Sequence, residues 1–129
     1  MTAIGTLQYP VLDCEDALEL AEFYQNLIGG EIVASEDDTG WVELIGGAGG
    51  NIAFQRIDDF VPATWPGGQH PAQAHFDVVV KDIDWSEAAV IACGARTTGH
   101  PIVPLGEPTP HFRVYLDPAS HPFCLVWND

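Results

Sequence analysis

Residues 9–30, YPVLDCEDALELAEFYQNLIGG, decide the fold, because residues 75–94, HFDVVVKDIDWSEAAVIACG, repeat their layout at an offset of about half the chain. Each segment opens with a short apolar strand, Tyr9 to Asp13 in the first and His75 to Val80 in the second. An acidic stretch and an apolar pattern of helical period follow, and glycine ends each segment. The chain is therefore predicted to contain two copies of one structural module.

Acidic residues mark the predicted start of each helix. Asp16 is followed three residues later by Glu19, and Asp84 by Glu87, which is the spacing of a capping box with Asp in the capping place. The apolar stripes that follow consist of Ala17, Leu20, Ala21, Tyr24, Leu27 and Ile28 in the first helix and of Trp85, Ala88, Ala89, Ile91 and Ala92 in the second. The second helix is predicted to end at Gly94, where a residue without Cβ can adopt the left-handed cap.

Three strand-like stretches with turn residues between them follow each predicted helix. They are Glu31 to Ala34, Trp41 to Ile45 and Asn51 to Ile57, then Ala95 to Thr98, Phe112 to Leu116 and Phe123 to Trp127. The sequence thus predicts one α+β domain over residues 1–129, with module one at about 5–57 and module two at about 74–128. The proline- and glycine-rich stretch 58–73 is interpreted as the linker, and the irregular stretch 99–110 is expected to overhang the second sheet.

The composition excludes several classes of partner. The chain carries 19 acidic residues against four basic ones, a formal charge of −15, so nucleic acid and anionic membranes would repel it. It has no apolar run of roughly 18 residues and no signal-peptide pattern at its start, so we expect a cytoplasmic protein. The acidity would attract a cationic small molecule or would simply maintain solubility. The three cysteines are irregularly spaced, which favours free thiols over a disulfide framework or a four-ligand zinc site.

Several motifs that occur in one order carry a resemblance to a known family. They are Glu22-Phe23-Tyr24 before Leu27-Ile28-Gly29, His75-Phe76-Asp77, and Asp117-Pro118-Ala119-Ser120-His121-Pro122-Phe123 near the end. With them the chain resembles a glyoxalase-like member of the vicinal oxygen chelate superfamily, which also contains bleomycin-resistance proteins and extradiol dioxygenases. The resemblance implies two tandem βαβββ modules whose curved mixed sheets form a cup or barrel, with ligands on the concave side. It also implies a homodimer, because relatives close the barrel within one chain or across two.

Alternation along each strand assigns side chains either to the concave face, here called the cup, or to the helix side. Residues assigned to the cup are Tyr9, Trp41, Glu43, Ala53, Gln55, His75, Asp77, Val79, His111, Arg113, Tyr115 and Cys124. Residues assigned to the helix side are Ile52, Phe54, Phe76, Val78, Val80, Phe112, Val114, Leu116, Phe123, Leu125 and Trp127. Together with His75, the residues expected to bind a small organic ligand are Tyr9, Trp41, Glu43, Gln55, Asp77, Arg113, Tyr115 and Cys124.

Metal binding depends on four positions that the resemblance picks out. Metal-using relatives place one ligand, usually His or Glu, on the first and last strands of each module. This sequence has Tyr9, Ala53, His75 and Cys124 at those positions. Only His75 is a usual ligand, and His75 with Cys124 falls short of the three protein ligands that catalytic zinc needs. We therefore expect no cofactor, with a divalent metal on His75 and Cys124 as the alternative.

Four residues in the predicted cup carry chemistry. His75 is the candidate catalytic base, because an imidazole in an apolar cup can act near neutral pH, and Asp77 on the same face would orient it. Arg113 would pair with Glu43 or Asp77, or clamp a substrate carboxylate. Cys124 would be a nucleophile only if a neighbour such as His75 ionised its thiol, and otherwise it packs.

Three functions remain open at this point. The first is a metal-free protein that binds and sequesters a small molecule, on which Trp41, Trp65 and Tyr115 would stack unless they only pack. The second is a metal-free enzyme that uses His75 for acid/base chemistry. The third is a lyase or dioxygenase that depends on a divalent metal.

Overall fold

The chain forms two modules of the same topology. A computed structural model describes residues 2–35 and 40–128, and the chain divides into two compact units, Met1–Phe60 and Val61–Asp129. Each unit contains one helix and one four-stranded sheet in the order β-α-β-β-β, which confirms the α+β fold of two tandem modules. The single-domain organisation over residues 1–129 stays a prediction, and its two terminal residues lie outside the described part.

The first unit has a mixed sheet. Its elements are β1 (Val11–Cys14), α1 (Ala17–Ile28), β2 (Glu31–Ala34), β3 (Trp41–Gly47) and β4 (Gly50–Arg56). The strand order is β1-β4-β3-β2, in which β1 runs parallel to β4 and the other neighbours are antiparallel. Because β1 begins two residues later than predicted, Tyr9 lies just before the strand and not at its first position.

Helix α1 begins and ends where the sequence pattern placed its caps. Asp16 is the N-cap, and its side chain accepts a hydrogen bond from the backbone N–H of Glu19 at 3.0 Å. Gly29 follows the helix with a φ of 77°, a conformation that glycine adopts without strain. The buried face of α1 packs on the sheet, where Tyr24 stacks on Phe54 with 5.7 Å between ring centroids. The helix thus covers one face of this sheet.

The second unit repeats the arrangement. Its elements are β5 (Phe76–Val79), α2 (Ile83–Ala92), β6 (Arg96–Thr97), β7 (Phe112–Leu116) and β8 (Pro122–Val126). The strand order is β5-β8-β7-β6, in which β5 runs parallel to β8 and the other neighbours are antiparallel. The parallel pairing sets Asp77 directly beside Cys124, so both side chains lie on one face of the sheet.

The predicted start of α2 is wrong by two residues. The N-cap is Asp82, whose side chain accepts a hydrogen bond from the backbone N–H of Trp85 at 3.0 Å. Asp84, the predicted cap, lies in the first turn. The spacing from Asp84 to Glu87 matched a capping box, but an N-cap needs only an acceptor side chain and an N–H three residues later, which Asp82 also has.

The apolar stripe predicted for α2 is also wrong, because none of its five residues is buried. Trp85 is 71% exposed and Ile91 is 45% exposed, whereas Ser86 and Val90 are buried. With this rotation the carboxylate of Glu87 reaches strand β7, where it accepts two hydrogen bonds. The polar face of α2 therefore supplies partners to polar side chains of the sheet.

The cysteines are free thiols, as predicted. Cys14 and Cys124 are buried and Cys93 is exposed. Neither helix in the described part of the chain is long and apolar enough to cross a membrane. The homodimer stays a prediction.

Candidate functional site

A cavity of about 620 Å³ opens on the sheet of the second unit. Its lining residues, which define what we call the cavity, are Trp65, His75, Asp77, His111, Phe112, Val114, Pro122, Cys124 and Val126. Strand register explains this set, because Cys124 pairs with both Asp77 and Val114, and Val126 pairs with Phe112. Cross-strand partners point to the same face, so the cavity lies on one face of the sheet.

The polar part of the cavity combines three side chains, one each from β5, from β8 and from the residue before β5. His75 immediately precedes β5, and its Nε2 lies 3.2 Å from Oδ1 of Asp77, with both side chains about half exposed. Donor atoms of His75, Asp77 and Cys124 all lie within 4.8 Å of one another. The sequence predicted His75 and Cys124 as metal donors but did not predict Asp77 as a third. Asp77 lies two residues after His75 and therefore on the same face.

Cys124 is a protonated thiol at neutral pH. Burial, together with the charge and hydrogen bonding of Asp77, raises its pKa from 9.0 to about 11. The nucleophilic role required a neighbour that would ionise the thiol, but the carboxylate of Asp77 opposes ionisation. The arrangement therefore favours Cys124 as a polar but uncharged surface of the cavity.

Strand β7 faces the opposite way from the prediction. Tyr115 is 1% exposed, its hydroxyl donates to Glu87 of α2 at 3.0 Å, and its ring stacks on Phe123. Arg113 donates to Glu87 at 3.2 Å and to Asp84 at 3.4 Å. Arg113 and Tyr115 are thus on the helix side of β7 and not on its cavity side, and within this unit Arg113 pairs with α2 and not with Asp77.

The predicted orientation of β7 is wrong because α2 offers a polar partner, Glu87, to the strand. The apolar row of Phe112, Val114 and Leu116 was assigned to the helix side because helices usually cover the apolar face of a sheet. Glu87 instead gives the Tyr115 hydroxyl an acceptor in the buried layer, which satisfies the requirement that buried polar groups be hydrogen-bonded. Burial first, and then Glu87, raise the pKa of Tyr115 well above its usual range. Two members of the apolar row, Phe112 and Val114, instead line the cavity.

Trp65 is held against the cavity by an ordered loop. Thr64 Oγ1 donates to the carbonyl of Gly67 and accepts from the N–H of His70, both at 2.8 Å. The Trp65 ring contacts the His100 ring edge to face, with 4.9 Å between centroids. One residue of the predicted linker, Trp65, therefore forms part of the cavity wall.

In the first unit, four predicted site residues share one face of the sheet. Trp41 pairs with Gln55 across β3 and β4, and the Tyr9 hydroxyl donates to Glu43 at 2.7 Å. This hydrogen bond is the main reason why the pKa of Tyr9 is raised. Tyr9 and Trp41 lie 6.2 Å apart between ring centroids. Their ligand-binding role and the single cup predicted to unite them with His75 remain predictions.

In β4 of the first unit, Phe54 lies on the helix side of the sheet, as predicted. Phe54 is fully buried and contacts Tyr24 of α1, and Ile52 lies on the same face at 7% exposure. Ala53 and Gln55 alternate with them and point to the other face. The alternation rule thus succeeds in β4, where one face is uniformly apolar, and fails in β7.

Comparison with known proteins adds the family. A family model described as a glyoxalase-like domain matches residues 10–126. No curated protein gives a significant match.

Solved structures show the same fold at low sequence identity. The fosfomycin resistance protein FosX from Listeria monocytogenes superposes with a TM-score of 0.69 at 18% identity, covering 98% of this chain and 94% of that one. A hypothetical protein from S. aureus gives 0.66 at 16% identity, covering 98% and 100%. A glyoxalase/bleomycin resistance/dioxygenase family enzyme from Burkholderia phytofirmans gives 0.65 at 17%, covering 95% and 98%. A mutant FosX, with a TM-score of 0.68 at 19% identity and covering 96% and 90%, is complexed with Mn(II) and a dihydroxypropylphosphonic acid.

The family match and the module topology agree over nearly the whole chain. The matched region runs from just before β1 to the last residue of β8. Both modules have the βαβββ order of elements that the motif resemblance implied. The chain therefore belongs to the glyoxalase-like domain family of the vicinal oxygen chelate superfamily.

Proposed function

We propose that the chain binds a small organic molecule in the cavity of its second unit, without a resident metal. The observation that carries this proposal is the cavity itself, whose volume of about 620 Å³ is in the range of small-molecule sites. Such sites usually combine apolar walls with a few convergent polar groups. A FosX structure with a bound phosphonate supports ligand binding on this fold in general.

The lining suits a ligand with an apolar, planar body. Val114, Val126 and Pro122 form an aliphatic surface, and Trp65 and Phe112 add aromatic rings. The polar groups of His75, Asp77 and Cys124 lie close together in the same cavity. Tyr9, Trp41, Glu43 and Gln55 remain proposed ligand-binding residues of the first unit, whereas Arg113 and Tyr115 no longer belong to the proposed site.

Filling the cavity tests this function. Val114 is 8% exposed and faces the cavity, so we expect Val114→Trp to occupy the ligand volume and weaken binding of naphthylmethanol about tenfold or more. Binding is measured by chemical-shift titration of isotope-labelled protein, and the same spectra show whether the variant is folded. Leu18→Trp, at an exposed position of α1, is the matched control and should bind like the wild type.

Two outcomes separate success from failure in this experiment. If Val114→Trp is folded and binds naphthylmethanol as well as Leu18→Trp does, the cavity is not the ligand site. Should Val114→Trp fail to fold, Val126→Phe introduces a smaller obstruction on the same wall and must give the weakened binding instead.

A metal-dependent lyase or dioxygenase is the second candidate, and one observation favours it. His75, Asp77 and Cys124 bring three donor atoms together, whereas the sequence predicted only the two of His75 and Cys124. These residues would hold a divalent ion, which would supply Lewis-acid polarisation of a substrate oxygen. Loading the site would displace the proton of Cys124, and without that thiolate only one imidazole and one carboxylate remain. We therefore favour the metal-free function.

Elemental analysis distinguishes the two candidates. We expect protein purified without added metal to carry far less than one transition-metal ion per chain, because a metal would have to displace a proton that burial and Asp77 hold on Cys124. The measurement is mass-spectrometric metal analysis of wild type, His75→Ala, Cys124→Ala and the exposed-thiol control Cys93→Ala. About one ion per chain that is lost in His75→Ala and Cys124→Ala, yet kept in Cys93→Ala, would contradict the metal-free proposal and favour the metal-dependent candidate instead.

Acid/base catalysis by His75 is the third candidate. It rests on the 3.2 Å contact between His75 Nε2 and Asp77 Oδ1, which would orient the imidazole and leave Nδ1 for a substrate proton. The proposal of a cytoplasmic location accompanies all three candidates and rests on the sequence alone.

A further inference from the structure

The cavity has an unbalanced set of charges. Among its nine lining residues, Asp77 is the only one with a carboxyl group, and none is lysine or arginine. The carboxylate of Asp77 is 58% exposed, so it is accessible to a ligand while it contacts His75. A ligand in this cavity thus meets a negative group and no fixed positive group.

The reversed face of β7 produces this imbalance. Arg113 lies between two cavity residues in the sequence, yet its guanidinium contacts Asp84 and Glu87 of α2. It also lies 5.7 Å from the centre of the Trp127 ring, on the helix side of the strand. The basic residue that would have clamped an anionic ligand is therefore committed to a structural role.

The remaining basic residues do not compensate. Arg56 belongs to the first unit and pairs with Asp58, and Arg96 donates to Ser120 in the turn before β8. Lys81, like Arg96, does not line the cavity. With a formal charge of −15, the protein as a whole raises the local concentration of cations and lowers that of anions.

Aromatic rings add a second attraction for cations. Trp65 and Phe112 line the cavity together with the imidazole of His111. The face of an aromatic ring attracts ammonium and guanidinium groups within about 6 Å. A carboxylate together with aromatic rings is a combination that recognises a positive group attached to an apolar body.

We infer that the ligand is an organic cation, an amine or quaternary ammonium carried on a flat apolar body. The inference rests on the proposed function, because it assumes that the ligand occupies the cavity. The apolar body lies against Val114 and Val126, and the cation lies near Asp77 and the aromatic rings. An anionic ligand would meet the Asp77 carboxylate without a counter-charge.

Three probes of one shape and different charge test the inference. Naphthylmethylamine is a cation at neutral pH, naphthylmethanol is neutral and naphthoate is an anion. We expect the amine to bind about tenfold more tightly than the alcohol and naphthoate to give no measurable binding. The dissociation constants are measured by chemical-shift titration and repeated at high salt, which should weaken only the binding of the amine.

A pair of aspartate variants locates the charge. Asp77→Asn should weaken binding of the amine about tenfold and change binding of the alcohol less than about twofold. Asp59→Asn removes the same charge at an exposed position outside the cavity, where the left-handed φ of 56° suits asparagine. This control should bind both probes like the wild type.

The outcomes distinguish the inference from the proposed function. If the alcohol or naphthoate binds as tightly as the amine, or if Asp77→Asn leaves the preference for the amine unchanged, the inference is wrong and the proposed function stands. If none of the three probes binds, the proposed function and the inference both fail. They also fail if every probe binds to Val114→Trp as tightly as to the wild type.

Discussion

Replacing Tyr115 by alanine should lower the free energy of unfolding by about 3–5 kcal/mol, as removal of large buried aromatic side chains does. Tyr115 is 1% exposed, stacks on Phe123 with 5.6 Å between ring centroids, and donates its hydroxyl to Glu87. The substitution would leave a void between the sheet and α2 and would remove the donor that faces the Glu87 carboxylate. Urea denaturation followed by circular dichroism measures the change.

An aromatic side chain on the other face of β7 is the matched control. Phe112 is 37% exposed and lines the cavity, so we expect Phe112→Ala to cost less than about 1.5 kcal/mol. Tyr115→Phe isolates the hydroxyl and should cost about 1 kcal/mol, the usual size of one hydrogen bond. If Phe112→Ala costs more than Tyr115→Ala, strand β7 faces the way the alternation pattern predicted and the cavity wall is misassigned.

Cys124 should react with iodoacetamide at neutral pH about tenfold more slowly than the exposed Cys93. A pKa of about 11 in place of 9.0 lowers the thiolate fraction of Cys124 about a hundredfold, and the higher nucleophilicity of that thiolate recovers part of the loss. The rate should rise with pH until the pH reaches about 11. Peptide mass spectrometry of timed samples separates the modified cysteines.

The same pKa shift gives a direction for stability against pH. Because the pKa of Cys124 is higher in the folded protein than the ordinary value of 9.0, the folded state holds the proton more tightly. The stabilisation is therefore complete below about pH 9 and is lost as the pH rises towards 11. Asp77→Asn removes the charge that contributes to the shift and should speed alkylation of Cys124. A Cys124 that reacts as fast as Cys93 at neutral pH, in the wild type, would contradict the account.

Local signals predicted much of the fold. Asp16 caps the start of α1 and Gly29 ends it, and both act on backbone groups only a few residues away. The bounds of α1 could therefore be predicted from local sequence. The bounds of β2 and β7 match the predicted ones because turn residues flank both strands. The half-chain repeat then gave the two-module topology, since each module needs the same set of elements to cover its sheet.

The errors arose where a contact between distant residues decides the structure. Asp82 and Asp84 are equally good caps locally, and packing of Ser86 and Val90 on the rest of the unit selects between them. The direction of Tyr115 depends on a bond to Glu87, which lies 28 residues away.

The composition of the site depended on pairing between distant strands. Asp77 becomes a neighbour of Cys124 only through the parallel pairing of β5 with β8. Single-sequence patterns contain periodicity but not these pairings, so they identified His75 and Trp65 as candidate ligand contacts but assigned Val114 to the helix side.

The most direct test of the central claim is to locate a bound probe. We expect naphthylmethylamine, added to protein with isotope-labelled valine methyl groups, to give intermolecular nuclear Overhauser effects to the methyls of Val114 and Val126, which line the cavity. Effects confined to other valines, with none to Val114 or Val126, would contradict the claim that this cavity is the ligand site.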